Sequence, residues 1–75
     1  MPARMTYEAI LETLGYALGN EQMVRIVTTA GTEVHGFPTS LDTHVTAHEV
    51  YLLPPGDDDV EIGVNLEEIE QVELM

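Results

Sequence analysis

The residues of this chain best suited to chemistry are three histidines, one serine and many carboxylates. His44 and His48 carry imidazoles, which are common zinc ligands. They are four residues apart on or beside a predicted strand, which separates them by about 13 Å at ~3.3 Å per residue. One ion cannot bridge that distance within a chain, so we predict no metal site and no cofactor. A site that includes His35 and is shared between subunits is the remaining alternative.

Nucleophilic catalysis has little support in the sequence. The chain contains no cysteine and Ser40 is its only serine, outside any G-x-S-x-G motif. Ser40 lies near Asp42 and His44 in sequence, but a triad has to converge in a pocket, and the small barrel that we predict for this chain has no room for one. The carboxylates between Glu67 and Glu73 form a solvent-facing row. We therefore expect no catalytic residue and no enzyme activity.

The charge balance limits the classes of partner. The chain has 75 residues with 14 Asp and Glu against two Arg, and its formal net charge is −12. Duplex DNA and anionic membranes are bound by clusters of Lys and Arg, so both are disfavoured. Contact with a short single-stranded RNA through stacking stays open. A basic protein partner or a salty surrounding would each account for the acidity.

Nothing in the sequence resembles a targeting or membrane-spanning segment, and zero cysteine fits a reducing compartment. We therefore expect a cytoplasmic protein. The aspartate run at 57–59 lacks the spaced ligands of a calcium loop, so we interpret it as a solvated loop tip.

The first predicted element is a helix over residues 6–18. Apolar residues recur there at spacings of three and four, which is typical of a helix with one buried face. Thr6 is the predicted N-cap and Gly19-Asn20 the predicted stop. The apolar stripe consists of Tyr7, Ile10, Leu11, Leu14, Ala17 and Leu18.

Residues 22–74 change to a period of two, which predicts five short strands. A bend is expected at Gly36-Phe37-Pro38, since proline cannot donate to a ladder. Five strands this short leave an apolar face and two edges exposed unless they curl. We therefore predict one domain over residues 1–75, mainly β with an N-terminal helix: a five-stranded, strongly bent small barrel of the SH3-like or OB-like kind. The predicted strands are Val24–Thr29, a second through Val34, Gly36 and Leu41, then Val45–Leu53, Val60–Gly63 and Leu66–Leu74, with a break at Gly63–Asn65.

The spacing in two segments resembles the Sm/Lsm family. Gly31 and Gly36 are followed by Leu41-Asp42 and then His44-Val45-Thr46, which is similar to the first Sm motif. The segment Ile62-Gly63-Val64-Asn65-Leu66 with Ile69 is similar to the second. Together with the preceding helix, these matches cover nearly the whole chain.

The resemblance implies an RNA-binding set of five residues. In uridine-binding members a loop side chain, here His44, stacks on a base, and the Asn that follows, here Thr46, bonds the base edge. A basic residue before the second-motif glycine closes the stack; here Ile62 precedes Gly63. Asp42 orients the loop. The uridine pocket is thus degraded, and Ile62→Arg with Thr46→Asn is expected to restore it.

The resemblance also implies assembly and a class of function. Sm-like chains pair their fourth and fifth strands between subunits, so a hexameric or heptameric ring is expected, with RNA association as its role. One alternative is an acidic protein-interaction module, like the Rof-type inhibitors of the termination factor Rho, which dock on a basic RNA-binding protein. The other is a ring scaffold without a nucleic-acid role.

Overall fold

A computed structural model describes residues 5–57 and 59–75. In these residues one α-helix precedes five β-strands, so the chain is mainly β with an N-terminal helix, as predicted. None of the described helices combines the length and apolarity that crossing a membrane requires. The elements are α1 (Tyr7–Gly19), β1 (Val24–Thr28), β2 (Glu33–Asp42), β3 (Glu49–Leu53), β4 (Ile62–Asn65), a short 3-10 helix (Leu66–Glu68) and β5 (Ile69–Leu74).

Capping side chains define both ends of α1. The Thr6 hydroxyl accepts a hydrogen bond from the Ala9 N–H at 3.1 Å and satisfies one of the donors that a helix start leaves free. At the other end, the backbone N–H and the side-chain amide of Asn20 donate to the Tyr16 carbonyl at 3.1 and 2.8 Å. The helix predicted over 6–18 is therefore confirmed to within one residue at each end.

The five strands form one antiparallel sheet in the order β4-β3-β2-β1-β5. The long strand β2 changes partner half-way: residues 33–36 pair with β1, and residues 37–42 pair with β3. Gly36 ends the first half, and a Cβ there would come within 2.8 Å of the Leu53 carbonyl oxygen. The register then shifts between Pro38 and Ser40. The irregularity predicted in the middle of this strand is confirmed.

The sheet is not closed, because β4 and β5 lie at its opposite edges. Its small, compact shape is consistent with a bent small barrel. Met5 covers part of the β5 edge: its backbone N–H donates to the Glu70 carbonyl at 3.1 Å, and its sulfur accepts from the Val72 N–H at 3.2 Å. Edge groups that a neighbouring strand would otherwise pair with are thus partly occupied within the chain.

One hydrophobic core joins the helix to the sheet. Its helical side chains lie on one face of α1, and the inward positions of β1, β3, β4 and β5 supply the rest together with Leu66 of the 3-10 helix. Ile62, predicted to be part of the RNA pocket, packs against this core and is half-buried. The buried residues are Ile10, Leu14, Ala17, Val24, Ile26, Val50, Leu52, Val64, Leu66, Ile69 and Val72.

The predicted start of the third strand is wrong. β3 begins at Glu49, whereas the sequence predicted Val45. Residues 45–47 form a turn in which the N–H groups of Ala47 and His48 both donate to the His44 carbonyl, at 3.1 and 2.8 Å. The β-branched residues of this stretch favour a strand, but local hydrogen bonds to the His44 carbonyl decide its conformation.

The predicted bounds of the last two strands are also wrong. β4 covers Ile62–Asn65 rather than 60–63, and the break falls at Leu66–Glu68 rather than at 63–65. The cause is Asn65, whose side-chain oxygen accepts from the Glu67 N–H at 2.8 Å and caps the 3-10 helix. The chain therefore turns after Asn65, and Gly63 lies inside a strand.

Candidate functional site

The loop between β2 and β3, residues 43–48, contains the best-defined polar site. Asp42 ends β2, and its Oδ1 accepts a hydrogen bond from the backbone N–H of His44 at 3.0 Å. The same oxygen lies 3.0 Å from Nδ1 of the His44 ring. This Asx turn holds the loop while the His44 side chain stays 87% exposed. The structure thus brings Asp42 and His44 together.

These hydrogen bonds change the acidity of Asp42. The backbone N–H of His44, and after it the His44 ring, hold the pKa of the Asp42 carboxyl below its ordinary value. A carboxylate that accepts such bonds is stabilised in its charged form. Within the described residues no hydrogen bond joins Ser40 to His44, so a Ser-His-Asp relay is not assembled here.

Thr46 lies in the same turn and is exposed, as is its neighbour Val45, which is 95% exposed. A β-branched apolar side chain held in solvent at a loop tip contributes nothing to the core of the chain.

The turn also corrects the predicted distance between His44 and His48. The N atom of His48 lies 2.8 Å from the carbonyl oxygen of His44, so the expected separation of about 13 Å between these residues, based on an extended strand, is wrong.

His48 is the residue of this loop that sequence reasoning treated only as a metal candidate. It adopts a φ of 27°, in the left-handed region that few non-glycine residues occupy. Its ring stacks on Tyr7 of α1 with centroids 5.1 Å apart, and its carbonyl accepts from the Leu66 N–H at 3.0 Å. His48 thus connects the loop to the helix and to the 3-10 helix. The one sequence signal for this contact was an aromatic residue, Tyr7, in the first turn of a predicted helix. That signal does not indicate which residue the Tyr7 ring contacts.

Ile62 and Gly63 lie apart from this loop. Ile62 is opposite Leu52 in the β3–β4 register, whereas the loop leads into Glu49, three residues away along the strand, or about 10 Å. Gly63 is opposite Tyr51, and a Cβ there would come within 2.6 Å of the Glu49 carboxylate. The five residues expected to bind RNA therefore fall into two groups: Asp42, His44 and Thr46 in the loop, and Ile62 and Gly63 on β4.

Arg25 is the one arginine or lysine in the described part of the chain. Its Nε lies 2.6 Å from Glu33 Oε1 and one terminal nitrogen lies 3.1 Å from Glu73 Oε2. The hydrogen bond to Glu33 is the main cause that raises the pKa of Arg25, and Arg25 in turn lowers the pKa of Glu33. The guanidinium is therefore engaged by carboxylates of both neighbouring strands.

A second candidate site is an open groove of about 510 Å³ between the end of α1 and β2, here named the α1–β2 groove. Its walls come from the helix end, from the middle of β2 and from the turn after β3. No sequence pattern indicated that these three segments lie side by side. The groove is lined by residues that include Leu18, Glu21, Phe37, Thr39, Leu53 and Gly56.

The described residues contain no cluster of three or more His, Cys, Asp or Glu side chains with the geometry to hold a metal ion. Comparisons of the chain with models of protein families, with curated proteins and with solved structures find no match.

Proposed function

We propose that this protein is a non-enzymatic, acidic protein-interaction module with an Sm-like bent small barrel, which docks on a basic partner protein in the cytoplasm. The state of Arg25 is the observation that carries the proposal. Its guanidinium is engaged by Glu33 and Glu73, so the one Lys or Arg side chain of the described residues is neutralised within the sheet. With a formal charge of −12, the chain offers mainly carboxylates to a partner. Such a field attracts and orients a basic surface.

A second candidate is an RNA-associated module, and the His44 loop favours it. An exposed imidazole held at a loop tip by Asp42 can stack on a base. Against this candidate, Ile62 packs on the core and Arg25 is paired with carboxylates, so neither supplies the cationic half of a stacking clamp. The protein-interaction module is therefore the better supported of the two.

Ring assembly is a separate proposal, because a ring is compatible with either function. A ring is also compatible with a scaffold that has no nucleic-acid role. Pairing of β4 with the β5 of a neighbour needs a free β5 edge, part of which Met5 occupies. The apolar side chains of Leu66 and Val72 are buried within one chain and are not available to such a contact. A ring of six or seven copies would therefore form mainly through backbone pairing, after Met5 has left the edge.

Fluorescence anisotropy with two labelled probes distinguishes the two functions. One probe is a peptide of alternating Arg and Ser, and the other is a short oligouridine; a Glu-Ser peptide is the control. The measurement is made at an ionic strength of about 0.15 M, because exposed charges more than ~8 Å apart are then largely screened and long-range attraction contributes little. We expect the Arg-Ser peptide to bind with saturation and the oligouridine and Glu-Ser probes not to bind. Binding of oligouridine without the Arg-Ser peptide would replace this proposal with the RNA module.

A further inference from the structure

Backbone hydrogen bonds close the chain on both sides of the α1–β2 groove. On one side, α1 is terminated by the Gln22 N–H, which donates to the Ala17 carbonyl at 2.9 Å. On the other side, the turn after β3 is closed by a hydrogen bond from the Asp57 N–H to the Pro54 carbonyl at 3.3 Å. Gly56 adopts a φ of 83° in this turn. A pre-formed site loses less conformational freedom on binding than a mobile one.

The floor of the groove is apolar and partly exposed. Phe37 lies opposite Leu53 in the β2–β3 register and remains 39% exposed. Leu18 from α1 is half-buried beside them. The volume of about 510 Å³ is in the range of ligand sites, about 300–1,000 Å³. However, the groove is partly open to solvent, which suits a segment of a partner rather than an enclosed small molecule.

Carboxylates lie around this apolar floor. Glu21 lines the groove directly. Glu61 accepts a hydrogen bond from the Thr39 hydroxyl at 3.1 Å, and Thr39 is part of the wall. Asp57 follows Gly56 in the turn. The C-terminal end of α1 adds the negative end of the helix dipole, and its last turn contains no basic residue. The apolar floor and the negatively charged rim together indicate a partner that combines apolar and basic side chains.

We propose that the α1–β2 groove binds a partner segment in which apolar side chains are flanked by Arg or Lys. The apolar side chains cover Phe37, Leu18 and Leu53, and the flanking cations contact Glu21 and Glu61. This inference rests on the proposed function, since it places the basic partner at one surface. A second copy of this chain is a poor occupant, because a chain of charge −12 would bring its carboxylates to a rim of like charge.

The experiment uses two labelled peptides, Arg-Arg-Leu-Phe-Arg-Arg and Arg-Arg-Ser-Ser-Arg-Arg, which have the same charge. Anisotropy at about 0.15 M ionic strength gives the affinity of the intact chain for each. We expect the Leu-Phe peptide to bind at least about tenfold more tightly, which is the discrimination that an apolar pocket exerts between side chains. Amide chemical shifts recorded by NMR should move at Glu21, Thr39 and Gly56 and stay in place at His44.

Matched variants test the rim without disturbing the fold. The double variant Glu21→Gln with Glu61→Gln keeps the side-chain shapes. It should lower the affinity for the Leu-Phe peptide by about threefold to tenfold, as expected for the loss of two exposed ion pairs. Glu8→Gln removes the same kind of charge at a position about 15 Å from Leu18 along α1, and it should leave the affinity for the peptide unchanged. Phe37→Ser should abolish the preference for Leu-Phe, and a thermal melt checks that this variant is folded.

The outcomes separate the groove from the function. Equal affinity for the two peptides, or shifts confined to other surfaces, would overturn the groove while the acidic module stands. No binding of either peptide would overturn both proposals. A dimer in light scattering that dissociates on Phe37→Ser would show that a second copy occupies the groove, and would overturn the assignment to a basic segment.

Discussion

The imidazole of His48 stacks on the phenol ring of Tyr7, with ring centroids 5.1 Å apart and ring planes inclined by 21°. Tyr7 is the first residue of α1, and His48 is the last residue before β3. Among the described residues, Nε2 of His48 is the one buried side-chain nitrogen or oxygen without a hydrogen-bond partner. The ring is therefore held by stacking and by the backbone of His48, which adopts a φ of 27°.

We expect Tyr7→Ala to lower the free energy of unfolding by about 1 kcal/mol, the usual size of an aromatic pair. Tyr7→Phe keeps the ring and should unfold like the original chain in urea. An equal loss in both variants would mean that the hydroxyl group, and not the stacked ring, stabilises this contact.

The Asp42 carboxyl gives the loop a pH dependence of known sign. Because its pKa is lowered in the folded state, its contribution to stability is present above the unfolded pKa, about 3.9, and is lost as the pH falls through the folded value. Asp42→Asn can still accept the His44 N–H but does not titrate, so the advantage of the original chain should shrink in acid. Urea midpoints of both proteins against pH measure this difference.

His44→Ala provides the matched test of the cause. The backbone hydrogen bond is the largest cause of the lowered pKa and survives this change, whereas the bond from the ring is lost. NMR titration of the Asp42 carboxyl should therefore find a pKa that is raised in part but still below the ordinary value. A full return to the ordinary value would show that the ring is the main cause.

Sequence patterns predicted the elements better than the site. The helix over 6–18 followed from its periodicity and from Thr6, since these signals are local. The bend near Gly36 followed from Pro38, which cannot donate to a ladder. The α1–β2 groove was not predictable, because its walls come from segments far apart in the chain. The position of Ile62 against the core depends on how β4 pairs with β3, and the sequence pattern of β4 alone does not specify that pairing.

The two glycines at positions 36 and 15 should respond to alanine in opposite ways. A Cβ at Gly36 would lie 2.8 Å from the Leu53 carbonyl oxygen and 3.1 Å from the Leu52 Cβ, so backbone must move. We expect Gly36→Ala to cost about 1–3 kcal/mol, as over-packing usually does. A Cβ at Gly15 meets nothing within 4 Å, so Gly15→Ala should stabilise α1 by about 1 kcal/mol. In urea unfolding, a midpoint for Gly36→Ala that equals or exceeds that of the original chain would contradict the close approach of β2 and β3 at Gly36.

The Met5 contacts with β5 predict how assembly responds to truncation. With Met5 on the edge, the full chain should be monomeric in light scattering even in about 1 M salt, where the Debye length is ~3 Å and charge repulsion is screened. Deletion of residues 1–5 keeps the Thr6 cap and frees the Glu70 carbonyl and the Val72 N–H. The truncated chain should then self-associate, and more strongly as salt is added. A full chain of six or seven copies would show that Met5 does not protect this edge.

The last prediction separates the protein-interaction module from the RNA module. The Sm resemblance predicts that Ile62→Arg with Thr46→Asn restores a uridine clamp and raises oligouridine affinity by about tenfold or more, since base stacking is worth ~1–3 kcal/mol. The register instead places Ile62 opposite Leu52, with its side chain against the core. We therefore expect the double variant to gain no affinity for labelled oligouridine and to lose about 1–2 kcal/mol of stability through lost apolar burial.

Thr46→Asn alone is the matched control for this prediction, because Thr46 is exposed in the turn and its replacement leaves the core intact. Its stability should equal that of the original chain, so any loss in the double variant belongs to position 62. His44→Ala, measured in the same anisotropy series, reports whether the exposed imidazole contacts the base. Suppose that the double variant gains tenfold in affinity and that His44→Ala then removes the gain. His44 and residue 62 would have to face one base, although the register places residue 62 about 10 Å along the strand from the end of the His44 loop. That result would reverse the order of the two proposed functions.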